Sequence, residues 1–328
     1  MQNLRLVRFV LALAAAGACI PAHAESDYPT ETVRMIVGFP PAGGADLIAR
    51  IVSDRLSAAF KKPVVVINRP GAGSSVAAAF VAKEAADGYT VLLATSSFTI
   101  NPNLYTSVNY DPIKDFIPIA AAGNSPFGIV VKADSPIDSF AKLIQTAKEK
   151  PTALSYSSGG IGSMGNLAAE LLKSRTGINL MHVPYKGLAP AIDGLLAGDV
   201  DMTFSDMASS LPFIKAGTLR VLAVTPSTRL PWVPSAPTIA ESGVEGYNIQ
   251  LWNGILVPAG TPADIVNKLH SAIVDIFKNP DPTLMARYDT IGETLPAVES
   301  RQAFEKFIGD DLVLWKKTIS DAHITASN

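Results

Sequence analysis

The sequence predicts an α/β protein built as two lobes. In two stretches, at 33–50 and at 154–172, a short apolar strand runs into a glycine-rich turn and then into an amphipathic helix. Further strand and helix patterns alternate along the remainder of the 328 residues. A chain of this length has material for about two domains with sizeable cores, so we expect each stretch to open one lobe.

The composition argues against a disordered or nucleic-acid-binding protein. Hydrophobic residues make up 48% of the chain and charged residues 17%, as in a globular protein. A net charge of −2 and a pI near 6.1 leave no basic surface of the kind that binds nucleic acid. We therefore expect no nucleic-acid partner.

The first 24 residues are typical of a secretory signal peptide. Arg5 and Arg8 form a positive start, residues 9–18 are apolar, and Ala22-His23-Ala24 is a small-residue cleavage site. The apolar stretch is too short to span a bilayer as a stable helix. We expect cleavage after Ala24 and a periplasmic protein.

Cys19, the single cysteine, offers an alternative leader. Residues 16–19 read Ala-Gly-Ala-Cys, which resembles a lipoprotein site, but the position three before such a cysteine usually carries leucine. Cleavage after Ala24 fits better and leaves a mature chain without a thiol, so neither disulfides nor cysteine catalysis are expected.

The pattern of the first lobe predicts three successive strands that each lead into a polar turn. The expected elements are strands over 33–37, 63–67 and 90–94, with helices from residue 45 and over 76–86. The strands end in Gly, Ser or Thr, the last of them at Thr95-Ser96-Ser97. In a parallel sheet such ends meet at one edge, where open α/β sheets bind ligands.

The remainder of the chain predicts a second set of strands and helices. We expect an irregular segment over 101–119, a helix that starts at Ser135-Pro136, and two closing helices, over 262–278 and 300–319. Strand-like connections near 120–130 and 248–257 would cross between the two sets. The expected lobes, with a ligand cleft between them, are 25–127 with 249–328, and 128–248.

The turn at 38–44 has the chemistry of an anion site. Prolines stiffen its entry, and its glycines let backbone N–H groups point into the space above the strand. These groups and the positive end of the following helix dipole attract an anion, although the turn contains no Lys, Arg or His. Asp46 and Arg50 have the i,i+4 spacing of a surface ion pair. The alternative is a tight connection without a ligand.

Enzyme motifs are incomplete. Gly160, Gly162 and Gly165 match a dinucleotide fingerprint, but the acidic residue expected about 20 positions later is missing. There is no GxSxG sequence, and His182 lies in the middle of a strand, where a structural histidine is the more common situation than a general base. The scattered histidines do not form a metal-ligand pattern. We expect neither cofactor nor metal.

Several segments together resemble one family, the periplasmic substrate-binding proteins of tripartite tricarboxylate transporters, also called Bug proteins. The segments are FPPAGGADLIAR, INRPGAGSSVAA, INPNLYTSVNYDPIKDFIPI, MHVPYKGLAPAIDGLLAGDVDMTF, IKAGTLRVLAVT, PTIAESGV and LVPAGTP. They follow the family's order and spacing across nearly the whole mature chain.

The resemblance implies a type II-like periplasmic binding protein fold and a function. Two α/β lobes would close on a small organic anion, hold its carboxylate through backbone amides, and hand it to a membrane permease as a monomer. The implied ligand-binding residues lie on the strand-end turns: Phe39, Ala42, Gly43, Gly44, Asp46, Thr95, Ser96, Ser97, Ser158, Gly159, Gly162, Ser163, Lys186 and Asp206.

Two positions depart from the family pattern. Phe98 stands where members often have histidine, which favours a pocket that accepts an aromatic or alkyl group. Ala42 stands in a turn where glycine is common, and alanine does not adopt positive φ as freely as glycine.

Some alternatives stay open at this stage. Lys186 fits either a ligand carboxylate or solvent, and Asp206 either a ligand donor or a helix cap. The ligand could be a di- or tricarboxylate, an acidic amino acid or an aromatic acid. The alternative functions are a ligand sensor for a signalling receptor and a nucleotide-dependent enzyme.

Overall fold

The computed structural model describes residues 27–151 and 153–325, so the expected signal peptide and Cys19 lie outside the described residues. Nine strands are described: β1 Val33–Val37, β2 Val64–Asn68, β3 Thr90–Thr95, β4 Phe116–Lys132, β5 Ser155–Ser158, β6 Met181–Pro184, β7 Met202–Asp206, β8 Leu219–Val224 and β9 Gln250–Pro258. The predicted mixture of strands and helices is confirmed.

Ten α-helices accompany the strands. They are α1 Gly44–Phe60, α2 Ser75–Val81, α3 Ser97–Leu104, α4 Phe140–Glu149, α5 Met164–Thr176, α6 Leu188–Ala197, α7 Met207–Lys215, α8 Ala263–Lys278, α9 Pro282–Thr290 and α10 Arg301–Asp321. None of these helices, in the part of the chain that the structure describes, has both the length and the apolarity to cross a bilayer.

The strands form one continuous sheet with the order β2-β1-β3-β9-β4-β7-β5-β6, and β8 also pairs with β4. β1 is parallel to β2 and β3, as predicted, and β5 is parallel to β6 and β7. β4 joins the two parallel groups: residues 116–126 pair with β9, and residues 127–132 pair with β7 and β8. The crossings expected near 120–130 and 248–257 are therefore β4 and β9.

The apolar core follows the same division, except at α3 and at the last helix. Phe304 and Ile308 of α10 pack in a cluster with β3 and β9, whereas Trp315 and Ile319 pack with β5, α5 and the end of β4. One face of α10 thus contacts both parts of the molecule. The lobe boundaries at 127/128 and 248/249 remain a prediction.

Two local predictions are wrong in their bounds, and two helices were not predicted. The segment 101–119 is not irregular throughout, because it contains the end of α3 and the start of β4. The helix predicted from Ser135-Pro136 begins at Phe140, where the hydroxyl of Ser139 caps it. The helices α7 and α9 were not predicted, although Asp281 before Pro282 is a recognised start signal.

A tyrosine explains how α3 tolerates a proline. Pro102 has no N–H to donate to the carbonyl of Phe98, four residues earlier. The hydroxyl of Tyr110 donates to that carbonyl instead, at 2.9 Å. The helix therefore continues past Pro102 to Leu104, although a proline in a sequence usually predicts the end of a helix.

A buried carboxylate fixes α10 against α3 and β9. Oδ2 of Asp311 accepts hydrogen bonds from Thr99 Oγ1 at 2.6 Å and from Trp252 Nε1 at 2.9 Å. Burial raises the pKa of Asp311 to about 6, although the hydrogen bonds act in the opposite direction.

We predict that Asp311→Ala lowers the free energy of unfolding by about 2–3 kcal/mol, because two buried donors lose their acceptor. The neighbouring Asp310, exposed and paired with Lys306, provides the control: Asp310→Ala should change stability by less than about 1 kcal/mol. Chemical denaturation measures both, and equal effects would contradict the role of Asp311.

Candidate functional site

The principal cavity lies at the carboxyl ends of parallel strands. It has a volume of about 760 Å³ and is lined by residues from both halves of the sheet. Strands β1, β3, β5 and β7 all end beside it and lead into helices α1, α3, α5 and α7. This is the location expected for ligands of open α/β sheets, and the volume suits a small molecule.

The first or second residue of each of these four helices lines the cavity: Gly44, Ser97, Met164 and Ala208. The N–H groups of Gly43, Gly44 and Ala45 have no acceptor among the described residues, and all three residues line the cavity. The positive ends of the four helix dipoles also lie at the cavity. The arrangement suits a carboxylate, because free N–H groups and dipoles stabilise negative charge without a cation.

Asp46 supports the first turn from behind and does not line the cavity. Its buried carboxylate accepts from the N–H of Ala42 at 2.9 Å, from Arg50 at 2.8 Å and from Asn68 at 2.8 Å. Burial opposes ionisation, but these hydrogen bonds outweigh it and hold the pKa of Asp46 below its usual range. The predicted pairing with Arg50 is confirmed, but the carboxylate of Asp46 is buried and not at the surface.

Alanine, not glycine, adopts the left-handed conformation in this turn. Ala42 has φ = 67°, whereas Gly43 has φ = −79° and an extended ψ. An added Cβ at Gly43 would meet nothing closer than 3.6 Å, but at Gly44 it would lie 3.1 Å from Oε1 of Glu293. The side-chain space at Gly44 is therefore restricted by the cavity wall, and the strain of the turn falls on Ala42.

Nine of the sequence-predicted residues line the cavity: Phe39, Ala42, Gly43, Gly44, Thr95, Ser97, Gly162, Ser163 and Asp206. The structure thus brings together turns that are far apart in the sequence. Thr95 and Ser97 contact one another through their hydroxyls at 2.8 Å. The hydroxyl of Ser163 caps α5.

Ser96 and Ser158 lie behind the cavity wall. Ser96 is fully buried, and its hydroxyl accepts from the N–H of Trp252, which ties β3 to β9. The hydroxyl of Ser158 lies 2.7 Å from Nε2 of His182. The hydroxyl groups of both serines are engaged in internal hydrogen bonds. Both residues therefore lie behind the residues that line the cavity.

Gly159 and Lys186 are also outside the lining. Gly159 packs against the backbone of Gly187, and its carbonyl accepts from the N–H of that residue. Lys186 is exposed, which agrees with the alternative that its ammonium is solvated.

The side chain of His182 is packed between other residues of the protein. Its ring stacks on Tyr156 with centroids 4.7 Å apart, and burial lowers its pKa. This environment agrees with the interpretation of His182 as a satisfied structural histidine.

Two acidic side chains line the cavity, and the sequence indicated only one of them. Oδ1 of Asp206 accepts from the N–H of Ser209, so Asp206 caps α7 and also faces the cavity. Glu293, which follows α9, is only 3% exposed, and the hydroxyl of Ser125 lies 2.7 and 2.6 Å from its two carboxylate oxygens. No pattern in the surrounding sequence marked Glu293.

Burial raises the pKa values of both acids. For Glu293 burial is the largest influence, the hydrogen bond from Ser125 acts against it, the charge of Asp206 adds to it, and the pKa reaches about 8. For Asp206 burial outweighs the bonds from Ser209. Lys, Arg and His are absent from the described lining residues, so neither acid has a basic partner there.

The lining also contains large apolar side chains. They include Ile100, Leu104, Phe127, Ile161, Leu188 and Leu251. Phe98 is not among them: it is 3% exposed and packs on Tyr110 and Phe116 in the core. The expectation that Phe98 forms part of the pocket is wrong, and the apolar surface comes from other residues.

Comparisons with known proteins agree with this geometry. The model of the tripartite tricarboxylate transporter receptor family matches residues 48–324. The protein BugT of Bordetella pertussis is 32% identical over 324 residues, which cover 98% of each chain. Two solved structures are similar across 99–100% of their length: R. palustris Rpa4515 with adipate (34% identity, TM-score 0.75, 91% of this chain) and periplasmic binding protein BugD (30%, 0.73, 92%).

We predict that Ala42→Gly raises the free energy of unfolding by about 1 kcal/mol, because glycine removes the penalty of a left-handed φ. Ala45→Gly, inside the first turn of α1, should instead lower it by up to about 1 kcal/mol. Thermal unfolding of the two variants, with opposite expected signs, provides the test. A loss of stability in Ala42→Gly would show that the turn is not strained at this position.

Proposed function

This chain belongs to the tripartite tricarboxylate transporter receptor family, the Bug proteins, and we propose that it captures a small carboxylate for delivery to a membrane permease of the tripartite tricarboxylate type. Family members are periplasmic solute-binding proteins and not enzymes. The identity of the carboxylate and the transfer to a permease are the proposed parts.

The observation that carries the proposal is the set of free N–H groups at the cavity. Gly43, Gly44 and Ala45 present three donors at the start of α1, in a wall that contains no basic side chain among the described residues. A carboxylate accepts several such bonds at once, and each charge-assisted bond contributes roughly 1.5–3 kcal/mol. The similar structure of R. palustris Rpa4515 with adipate supports a carboxylate as the ligand class.

The mechanism we infer is differential affinity between two arrangements of the lobes. An empty cavity leaves the N–H groups in water, whereas closure around a carboxylate replaces that water with fixed dipoles. Only a ligand that bonds more strongly in the closed arrangement shifts the equilibrium towards it. We propose the division 25–127 with 249–328, and 128–248, for the moving parts, and a monomer as the functional unit.

The apolar wall accommodates the remainder of the ligand. Leu104, Phe127 and Leu251 line the cavity together with three further aliphatic residues. Burial of a hydrocarbon portion against them contributes about 25 cal/mol per Å² of apolar surface. A carboxylate with an apolar portion therefore fits better than one that is polar throughout.

We predict that the purified protein is stabilised by small carboxylates and not by nucleotides or neutral sugars. A ligand at 100 times its dissociation constant raises the free energy of unfolding by about 2.7 kcal/mol, which is several degrees for a protein of this size. A thermal-shift screen measures this directly. A response to nucleotides with none to carboxylates would refute the proposed function.

We further predict that Gly44→Val reduces the affinity for the stabilising carboxylate by more than tenfold. The new side chain would press on Glu293 and cover the N–H groups at the start of α1. Gly309→Val is the matched control, because its Cβ meets nothing within 4 Å. The affinity measured by calorimetry should fall only in Gly44→Val. Both variants should keep a cooperative thermal unfolding transition. Unchanged affinity in Gly44→Val would place the carboxylate elsewhere.

A further inference from the structure

The acidic end of the cavity adjoins the carboxylate site. Oε1 of Glu293 lies only 3.1 Å from the position of a Cβ on Gly44, at the start of α1. The preceding Gly292 approaches Ala208 so closely that an added Cβ would lie 2.6 Å from its Cα. Asp206 is two residues before Ala208 and also lines the cavity. Glu293 therefore lies beside the free N–H groups and on the same side as Asp206.

A buried amide completes this part of the wall. Asn253 is 3% exposed, lines the cavity, and its side chain has no hydrogen-bond partner among the described residues. On the sheet, Asn253 is the register partner of Thr95 on one side and of Gly123 on the other. The side-chain amide of Asn253 therefore offers a donor and an acceptor to a polar ligand group in the cavity.

The charges around Glu293 do not balance when the cavity is empty. Asp206 faces it from the start of α7, Ser125 from β4 and Tyr288 from α9, and none of these is basic. The cation that follows the first turn, Arg50, is already paired with Asp46. A carboxylate ligand beside Glu293 would add a further negative charge. Positive charge must come from the ligand or from protons.

We propose that the ligand is an α-amino acid whose ammonium group binds to Glu293, Asp206 and Asn253. The inference rests on the proposed function, because the ligand's carboxylate is held by the N–H groups of Gly43, Gly44 and Ala45. An ammonium has three N–H donors, and the two carboxylates and the amide oxygen offer three acceptors. In an α-amino acid the two charged groups are on the same carbon, which matches the adjacency of Glu293 and Gly44.

The apolar wall then selects the side chain. A side-chain carboxylate would be the second acidic group of the ligand, and it would have no cation to pair with in a cavity lined by Ile100, Leu104, Phe127 and Leu251. An aliphatic or aromatic side chain fills that region at no such cost. The inferred class is therefore an amino acid with an apolar side chain.

Matched ligand pairs that differ only by the amino group provide the first test. Leucine is compared with 4-methylpentanoate, phenylalanine with 3-phenylpropanoate, and glutamate with glutarate, by calorimetry at pH 7. We expect the apolar amino acids to bind at least tenfold more tightly than their amino-free partners. Glu293→Gln should remove most of that preference, whereas the exposed Glu299→Gln should leave it intact.

The sign of the pH dependence separates the inference from its main alternative. An ammonium binds to ionised Glu293, whose pKa in the empty protein is about 8, so binding releases a proton and affinity rises with pH from 6 to 8. If neutral Glu293 instead donated its proton to a plain carboxylate, affinity would fall over the same range. Glu293→Gln should reduce the slope in either case, although Asp206, whose pKa burial also raises, is still present. The sign of the wild-type slope therefore decides.

The outcomes distinguish this inference from the proposed function. If neither member of any pair binds and no other carboxylate does, the proposed function fails. If the amino-free acids bind as tightly as the amino acids, or if affinity falls with rising pH, only the amino-acid inference is overturned. Preferential binding of apolar amino acids with a rising profile supports both.

Discussion

The central constraint is that, among the described residues, the cavity is lined by two carboxylates and no basic side chain. An anion bound there has only neutral donors, above all the free N–H groups at the start of α1, together with hydroxyl and amide side chains of the lining. Backbone donors are effective only when they are held in place before the ligand arrives, because ordering them afterwards would consume the binding free energy. The surrounding structure therefore has to hold the strand-end turns rigidly.

Polar groups behind the wall provide that rigidity. Asp46 links the N–H of Ala42 to Arg50 and Asn68, and its lowered pKa keeps the carboxylate ionised at neutral pH. The hydroxyl of Ser96 accepts a hydrogen bond from the N–H of Trp252 and so joins the end of β3 to β9. Both residues are among the ligand-binding residues that the family resemblance implied, yet neither lines the cavity. A motif residue can thus be essential to a site without contacting the ligand.

The sequence predicted the fold and the first turn because both depend on neighbouring residues. Strand, glycine-rich turn and helix start lie within 33–50, so their pattern is readable locally. Glu293 and Asn253 reach the cavity from segments about 200 residues later, and no local pattern reveals such an approach. Phe98 was misplaced for the same reason: whether an aromatic residue faces a pocket or the core depends on packing with Tyr110 and Phe116.

The cavity is lined from both halves of the sheet, so the lobe closure proposed above would give selectivity. The N–H groups and Glu293 belong to segments beside β1 and β4, whereas Asp206 and α5 belong to the group around β5 and β7. On that proposal, a ligand that satisfies the groups of only one half leaves buried carboxylates or N–H groups unpaired after closure, and each unpaired group costs about 1–3 kcal/mol. That penalty falls on the closed arrangement alone, so a partial match binds weakly and also fails to hold the lobes together.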